Sequence, residues 1–128
     1  MIKDAGIIHH GGCQCGANRF EACGIPKFVS KCHCNSCRKA TGAAFSTWVG
    51  FADEQVRWLT AAPSVHASSP GVRRGFCAAC GTPLTYAGQD WPGETHLLIG
   101  VFDSANDFTP NKDVFTEDAL DWALTAKG

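Results

Sequence analysis

The stretch KCHCNSCRKATG, residues 31–42, sets three cysteines within six positions and follows them at once with an arginine and a lysine. A disulfide needs two thiols and a closed tetrahedral metal site needs four. A group of three therefore directs attention to the rest of the sulfur. The chain holds eight cysteines in 128 residues. Four of the others form tight pairs, Cys13 with Cys15 and Cys77 with Cys80, and Cys23 stands alone. Such a density means either a disulfide framework in an exported domain or metal ligation in a reducing compartment. The start MIKDAGIIHHGG has no apolar run of signal-peptide length. No segment approaches the roughly 18 apolar residues that span a bilayer. The expectation is a soluble, cytoplasmic protein whose cysteines bind metal. The C-x-C and C-x-x-C spacings agree, because such pairs converge on one ion more readily than they bridge to each other.

The length suits one domain covering residues 1–128. A formal net charge of -1, from 11 basic and 12 acidic residues, provides no global field for nucleic acid or a membrane surface. Neither is expected as a partner. The chain has no P-loop, no G-x-G-x-x-G after a strand, no G-x-S-x-G and no H-E-x-x-H.

Glycine and proline punctuate short runs rich in β-branched and aromatic residues, so the fold class reads as mainly β. The expected strands are 17–23, 26–32, 44–51, 56–59, 72–77, 83–87 and 95–102, several with the alternation of half-buried antiparallel strands. Two short helices are expected. One lies in NSCRKATG, capped by Asn35 or Ser36 and ended by Gly42; the other is TEDALDWAL, 116–124, with Thr116 as its cap. Residues 103–113 read as a surface loop.

Cys15 and Cys80 are each followed by glycine, Gly16 and Gly81, which can take the positive φ that folds backbone amides toward a sulfur. Cys13, Cys15, Cys77 and Cys80 are therefore assigned to one closed, structural zinc. Cys32, Cys34 and Cys37 remain. In extended backbone, residues 32 and 34 face one way and His33 the other, so His33 is not the natural fourth ligand. Three ligands leave a position open for water or substrate, the catalytic arrangement. The rival assignment is a second structural zinc completed by Cys23 or a histidine, in a non-catalytic binding module. Arg38, Lys39 and the helix start are expected to lower thiol pKa. Arg73 and Arg74 suit either a substrate carboxylate or a solvated strand edge. Cys23 alone reads as a buried small hydrophobe. His9, His10, His66 and His96 have no ligand-like spacing and read as surface or hydrogen-bonded residues.

With these residues in view, GGCQCGANRFEA, KCHCNSCRKATGAAF and GFCAACGTPLTY followed by LLIGVFD resemble the glutathione-dependent formaldehyde-activating enzyme family, from about Gly11 to Asp103. The resemblance implies a β-tent type of fold, two zinc ions per chain and a carbon-sulfur lyase class of activity. It places structural zinc ligands at Cys13, Cys15, Cys77 and Cys80, and catalytic zinc ligands at Cys32, Cys34 and Cys37. Its named reaction joins glutathione to formaldehyde, giving S-hydroxymethylglutathione. The expected partners are accordingly a small thiol, with glutathione a candidate co-substrate, and an aldehyde-like electrophile. Arg38, Lys39, Arg73 and Arg74 are the candidates for holding an anionic thiol.

Overall fold

The computed structural model describes residues 6–124. Ten strands form in chain order: β1 (Ile8–Gly12), β2 (Arg19–Cys23), β3 (Phe28–Cys32), β4 (Ser46–Ala52), β5 (Val56–Trp58), β6 (Ser64–Ser69), β7 (Val72–Phe76), β8 (Pro83–Gly88), β9 (Glu94–Leu98) and β10 (Asp113–Val114). They make a three-stranded sheet ordered β1-β2-β5 and a seven-stranded sheet ordered β10-β3-β4-β9-β8-β7-β6. Every pairing is antiparallel except the short parallel one between β10 and β3. The fold is mainly β, as the alternation of apolar positions implies.

Period-two patterning builds the core. Phe20 and Ala22 of β2 share one face, as do Val49 and Phe51 of β4, and these meet Leu97, Phe102 and Phe108 between the sheets. The Phe20 ring meets Phe102 edge-on at 5.2 Å, tying the small sheet to the segment that follows β9. Truncating a buried phenylalanine of this kind to alanine costs about 3–5 kcal/mol.

The expected strand 95–102 stops at Leu98. Ile99–Val101 form a 3-10 turn closed by Phe102 N–H donating to Ile99 O at 3.2 Å. The turn swings Phe102 into the core, where it is 5% exposed. Three strands lie outside the sequence expectation, and each lacks an apolar signal. β1 is IHHGG, β10 has two residues, and β6 is SVHASS, exposed throughout and held by its ladder to β7. The expected helix 116–124 does not form. Thr116–Asp118 make a 3-10 turn that follows Phe115 in the left-handed region at φ 55°, and Thr116 is not a cap. The segment buries Ala123 but leaves Trp122 72% exposed, so no apolar stripe pays for ordering a short helix. The loop 103–113 runs over the surface only in part: Phe108 is buried in the core, with the His9 ring 4.6 Å away.

The one α-helix among the described residues, α1 (Asn35–Thr41), begins where the cysteines cluster. Its cap is neither Asn35 nor Ser36. Cys34 occupies that position, its sulfur accepting from Cys37 N–H at 3.2 Å. Gly42 ends the helix at φ 74° and donates to Arg38 O, as expected. Between β7 and β8 the register slips: Gly75 faces Thr85 whereas Phe76 faces Pro83, leaving Leu84 as an extra residue in β8. Leu84 is fully buried against Cys13 and Cys77.

Candidate metal centres and active site

Cys13 and Cys15 follow β1; Cys77 and Cys80 occupy the turn between β7 and β8. Their four sulfurs lie within 4.8 Å of one another. Cys13 Sγ to Cys15 Sγ and Cys15 Sγ to Cys77 Sγ are both 3.7 Å. A tetrahedron with metal–sulfur bonds near 2.3 Å has an edge of about 3.8 Å, so the donor set fits one four-coordinate ion. Gly16 and Gly81 take φ values of 86° and 83°, as the knuckle-like spacing requires. Their own amides bond the carbonyl oxygens of Cys13 and Cys77. Amides that reach sulfur include those of Asn18, on Cys13 at 3.3 Å, and Cys80, on Cys77 at 3.4 Å. The Cys80 thiol is pushed down to about 5, chiefly by the Thr82 hydroxyl at 3.1 Å and the Thr82 amide.

The second cluster forms where β3 runs into α1. Cys32, Cys34 and Cys37 place their sulfurs within 4.8 Å of one another, and no fourth histidine, cysteine or carboxylate among the described residues joins them. Cys32 Sγ and Cys37 Sγ are 3.6 Å apart, again the edge of a metal–thiolate tetrahedron. The extended backbone at Cys34 turns His33 to the opposite side. There the ring is fully buried, with Nε2 2.7 Å from Asp113 Oδ1. Cys23, weighed as a completing ligand, sits at the far end of β2 opposite Ile8, outside both clusters, and is half-buried rather than buried.

Charge divides unevenly within the trio. The Cys37 thiol is pushed down to about 5, first by hydrogen bonding from Cys32, then by Cys34 and the Arg74 guanidinium, against the effect of burial. Cys32 moves up, as the partner that keeps its proton beside Cys37 and as a buried group. Arg74 Nη2 reaches Cys37 Sγ at 3.8 Å and Ser36 Oγ at 3.3 Å, and its guanidinium lies 5.1 Å over the Tyr86 ring. Its Nε and Nη1 are buried without a partner.

The trio opens on a cavity of about 530 Å³, whose wall includes Phe28, Trp48, Arg74, Tyr86, Trp91 and His96. Of the four cations singled out from the sequence, only Arg74 lines it. Arg38 donates to Asn35 Oδ1 at 2.9 Å, Lys39 lines an adjoining groove beyond Arg74, and Arg73 is exposed on the other face of β7. The aromatic wall and His96 carry no motif in the sequence. Their only signal is alternation in β8 and β9, which puts Tyr86 opposite His96.

The fold and the two clusters define a mainly β protein with two cysteine sets arranged to bind metal, one of four thiols and one of three. The chain belongs to the glutathione-dependent formaldehyde-activating enzyme family, whose pattern matches residues 8–118. No curated protein matches it. Among solved structures it is similar to a Rhodobacter sphaeroides protein at 18% identity, with a TM-score of 0.65, covering 81% of this chain and 98% of that one. That likeness concerns the fold alone. No helix among the described residues is long and apolar enough to cross a membrane.

Proposed function

We propose that this chain is a zinc-dependent carbon-sulfur lyase-like enzyme, a single domain that forms or breaks a bond between a small thiol, glutathione or one like it, and formaldehyde or a similar electrophile. The observation that carries the reading is a set of three thiols, with no fourth side-chain ligand among the described residues, opening on a cavity that also holds a cation. Catalytic zinc sites keep a position free, whereas structural ones close it. Cys32, Cys34 and Cys37 would hold a zinc ion, which would supply Lewis acidity toward a thiol sulfur or an aldehyde oxygen. The remaining work falls to the chain. Phe28, Trp48 and Tyr86 wall the cavity and exclude water around the reactants. Arg74 lines the cavity with Nη2 within 3.8 Å of Cys37 Sγ, and its guanidinium is the charge that suits an anionic acceptor there, the carboxylate of the thiol or the developing alkoxide of the aldehyde. Cys13, Cys15, Cys77 and Cys80 would hold a second zinc, with a structural role.

The test is the rate of S-hydroxymethylglutathione formation from glutathione and formaldehyde, followed by carbon-13 NMR against the uncatalysed reaction, together with zinc per chain. Two zincs and acceleration are expected, with one zinc and the acceleration lost in Cys34→Ser. Two zincs without acceleration, and a Cys34→Ser variant that unfolds, point instead to a binding module with two structural sites.

A further inference from the structure

One histidine faces the cavity with a constrained ring. His96, on β9, is 5% exposed and lines the cavity that the three thiols open on. Its Nε2 lies 2.9 Å from Glu94 Oε1. Glu94 Oε2 is in turn 3.2 Å from Lys27 Nζ, so the carboxylate is anchored from outside the cavity. Aromatic rings fix the imidazole plane: Phe28 meets it edge-on at 4.7 Å and 90°, and Tyr86 stacks on it at 5.4 Å and 27°. The other nitrogen, Nδ1, has no hydrogen-bond partner among the described residues, and it is not sealed from solvent, unlike the unpaired Nδ1 of His33.

The Glu94 carboxylate decides the tautomer. Burial works to raise the Glu94 carboxyl, but the His96 hydrogen bond and Lys27 outweigh it, and the group is held below its usual range. An ionised carboxylate only accepts, so Nε2 carries the proton. Burial also lowers His96 itself, against the pull of Glu94, which favours the neutral ring. A neutral imidazole with its proton on Nε2 presents a lone pair at Nδ1.

We infer that His96 is a general base for thiol addition in this cavity, acting through Nδ1, and that Glu94 is the residue that positions it; the inference rests on the reading of function above. Nδ1 takes the S–H proton of the thiol. The sulfur pair then forms the C–S bond while the C=O π pair moves to oxygen, and the imidazolium returns its proton to that oxygen. One thiol and one aldehyde give one hemithioacetal, with His96 neutral again and no oxidant or reductant consumed.

The test uses the zinc-loaded full chain with glutathione and formaldehyde. In His96→Gln the amide still donates to Glu94 but the base is gone. The expected result is a kcat about 10²–10⁴-fold lower, with KM for glutathione within about threefold. Glu94→Gln is expected to lose about 10–100-fold, and Glu94→Asp to recover most of it. Nitrogen-15 NMR of histidine-labelled protein adds a readout independent of turnover, and it decides alone if His96→Gln does not fold. The expected spectrum has a protonated Nε2 and a bare Nδ1 whose resonance moves when glutathione is added. A proton on Nδ1, or an Nδ1 signal indifferent to glutathione, overturns the inference. A wild type that does not accelerate the addition overturns the reading of function and this inference with it. An accelerating wild type whose His96→Gln variant keeps its kcat overturns the role of His96 alone.

Discussion

The two cysteine clusters share a donor chemistry and a sulfur spacing near 3.7 Å, yet they differ in what they tie together. The four-thiol set joins residues 62 apart in sequence, Cys15 to Cys77, and so closes a long loop between the small sheet and the large one. The three-thiol set is local, contained in residues 32–37 at one strand end and the start of α1. Ligands distant in sequence restrict the unfolded chain and contribute to folding, because closing the loop is part of binding. Local ligands hold little of the tertiary structure. On the function proposed above, one cluster is a clamp and the other an outlet for chemistry, a difference of chain topology before it is one of coordination.

The clamp is the place where this contrast breaks most visibly. Cys77→Ser removes a buried ligand that packs on Cys13 and Leu84, and it is expected to lower stability by more than about 4 kcal/mol, enough to threaten a domain worth about 5–15. Loss of the cooperative melt by circular dichroism checks it; a melting temperature within a few degrees of wild type would remove the clamp from the account. Cys34→Ser is the converse. Serine is a strong helix cap, so α1 keeps its start while the ligand is lost. Thiol addition is expected to fall by about 10²-fold or more, with little change in the melt, as rate and melting measured on the same sample will tell.

Arg74→Gln tests the charge within the open set. The lowered Cys37 thiol loses one of its causes, so in metal-free protein the pH midpoint for alkylation of this cysteine is expected to move upward. The loaded enzyme is expected to lose about tenfold in kcat/KM, the scale of one charge-assisted contact. An unmoved midpoint would detach Arg74 from the trio.

The smallest effect belongs to Asp103→Asn, beside the clamp. Arg19 hydrogen-bonds Asp103 and holds its carboxyl below the usual range. The sign follows: the pair stabilises the fold above the ordinary carboxylate pKa, and that contribution disappears as pH falls through the lowered value. Both side chains are substantially exposed, so solvent and salt limit the pair to about 0.2–1 kcal/mol at neutral pH. Thermal melts from pH 7 to 3 are expected to show a shallower acid limb in the variant and an unchanged rate of thiol addition.

What the sequence made legible divides along similar lines. Both cysteine groupings are readable from spacing and from the glycines after Cys15 and Cys80, because short-range ligand pairs fix local backbone whatever the rest of the fold does. The apolar alternation of β2, β4 and β8 is readable for the same reason. β6 is not: its residues are polar and exposed, and only pairing with β7 makes it a strand. The segment after residue 115 misleads, since its helical propensity has no apolar face to bury. Of the cavity wall, only the trio and Arg74 are singled out from the sequence, and the aromatic lining and His96 escape. Arg38 and Lys39 adjoin the trio in sequence but not in the cavity, while Arg74, Tyr86 and His96 arrive from strands that only the sheet order brings alongside.

The extra residue in β8 acts on the molecule as a phase step. Strand side chains alternate faces with period two, so one inserted residue shifts the strand beyond it by half a period. Arg74 and Tyr86 keep time with the pocket on one side of the step; on the other, Cys77 keeps time with the clamp and Leu84 packs against it. A deletion at Leu84 makes the ladder unbroken and forces one end of the strand to turn over. In this region the chain is more sensitive to length than to identity, and a single lost codon is a graver lesion than most substitutions.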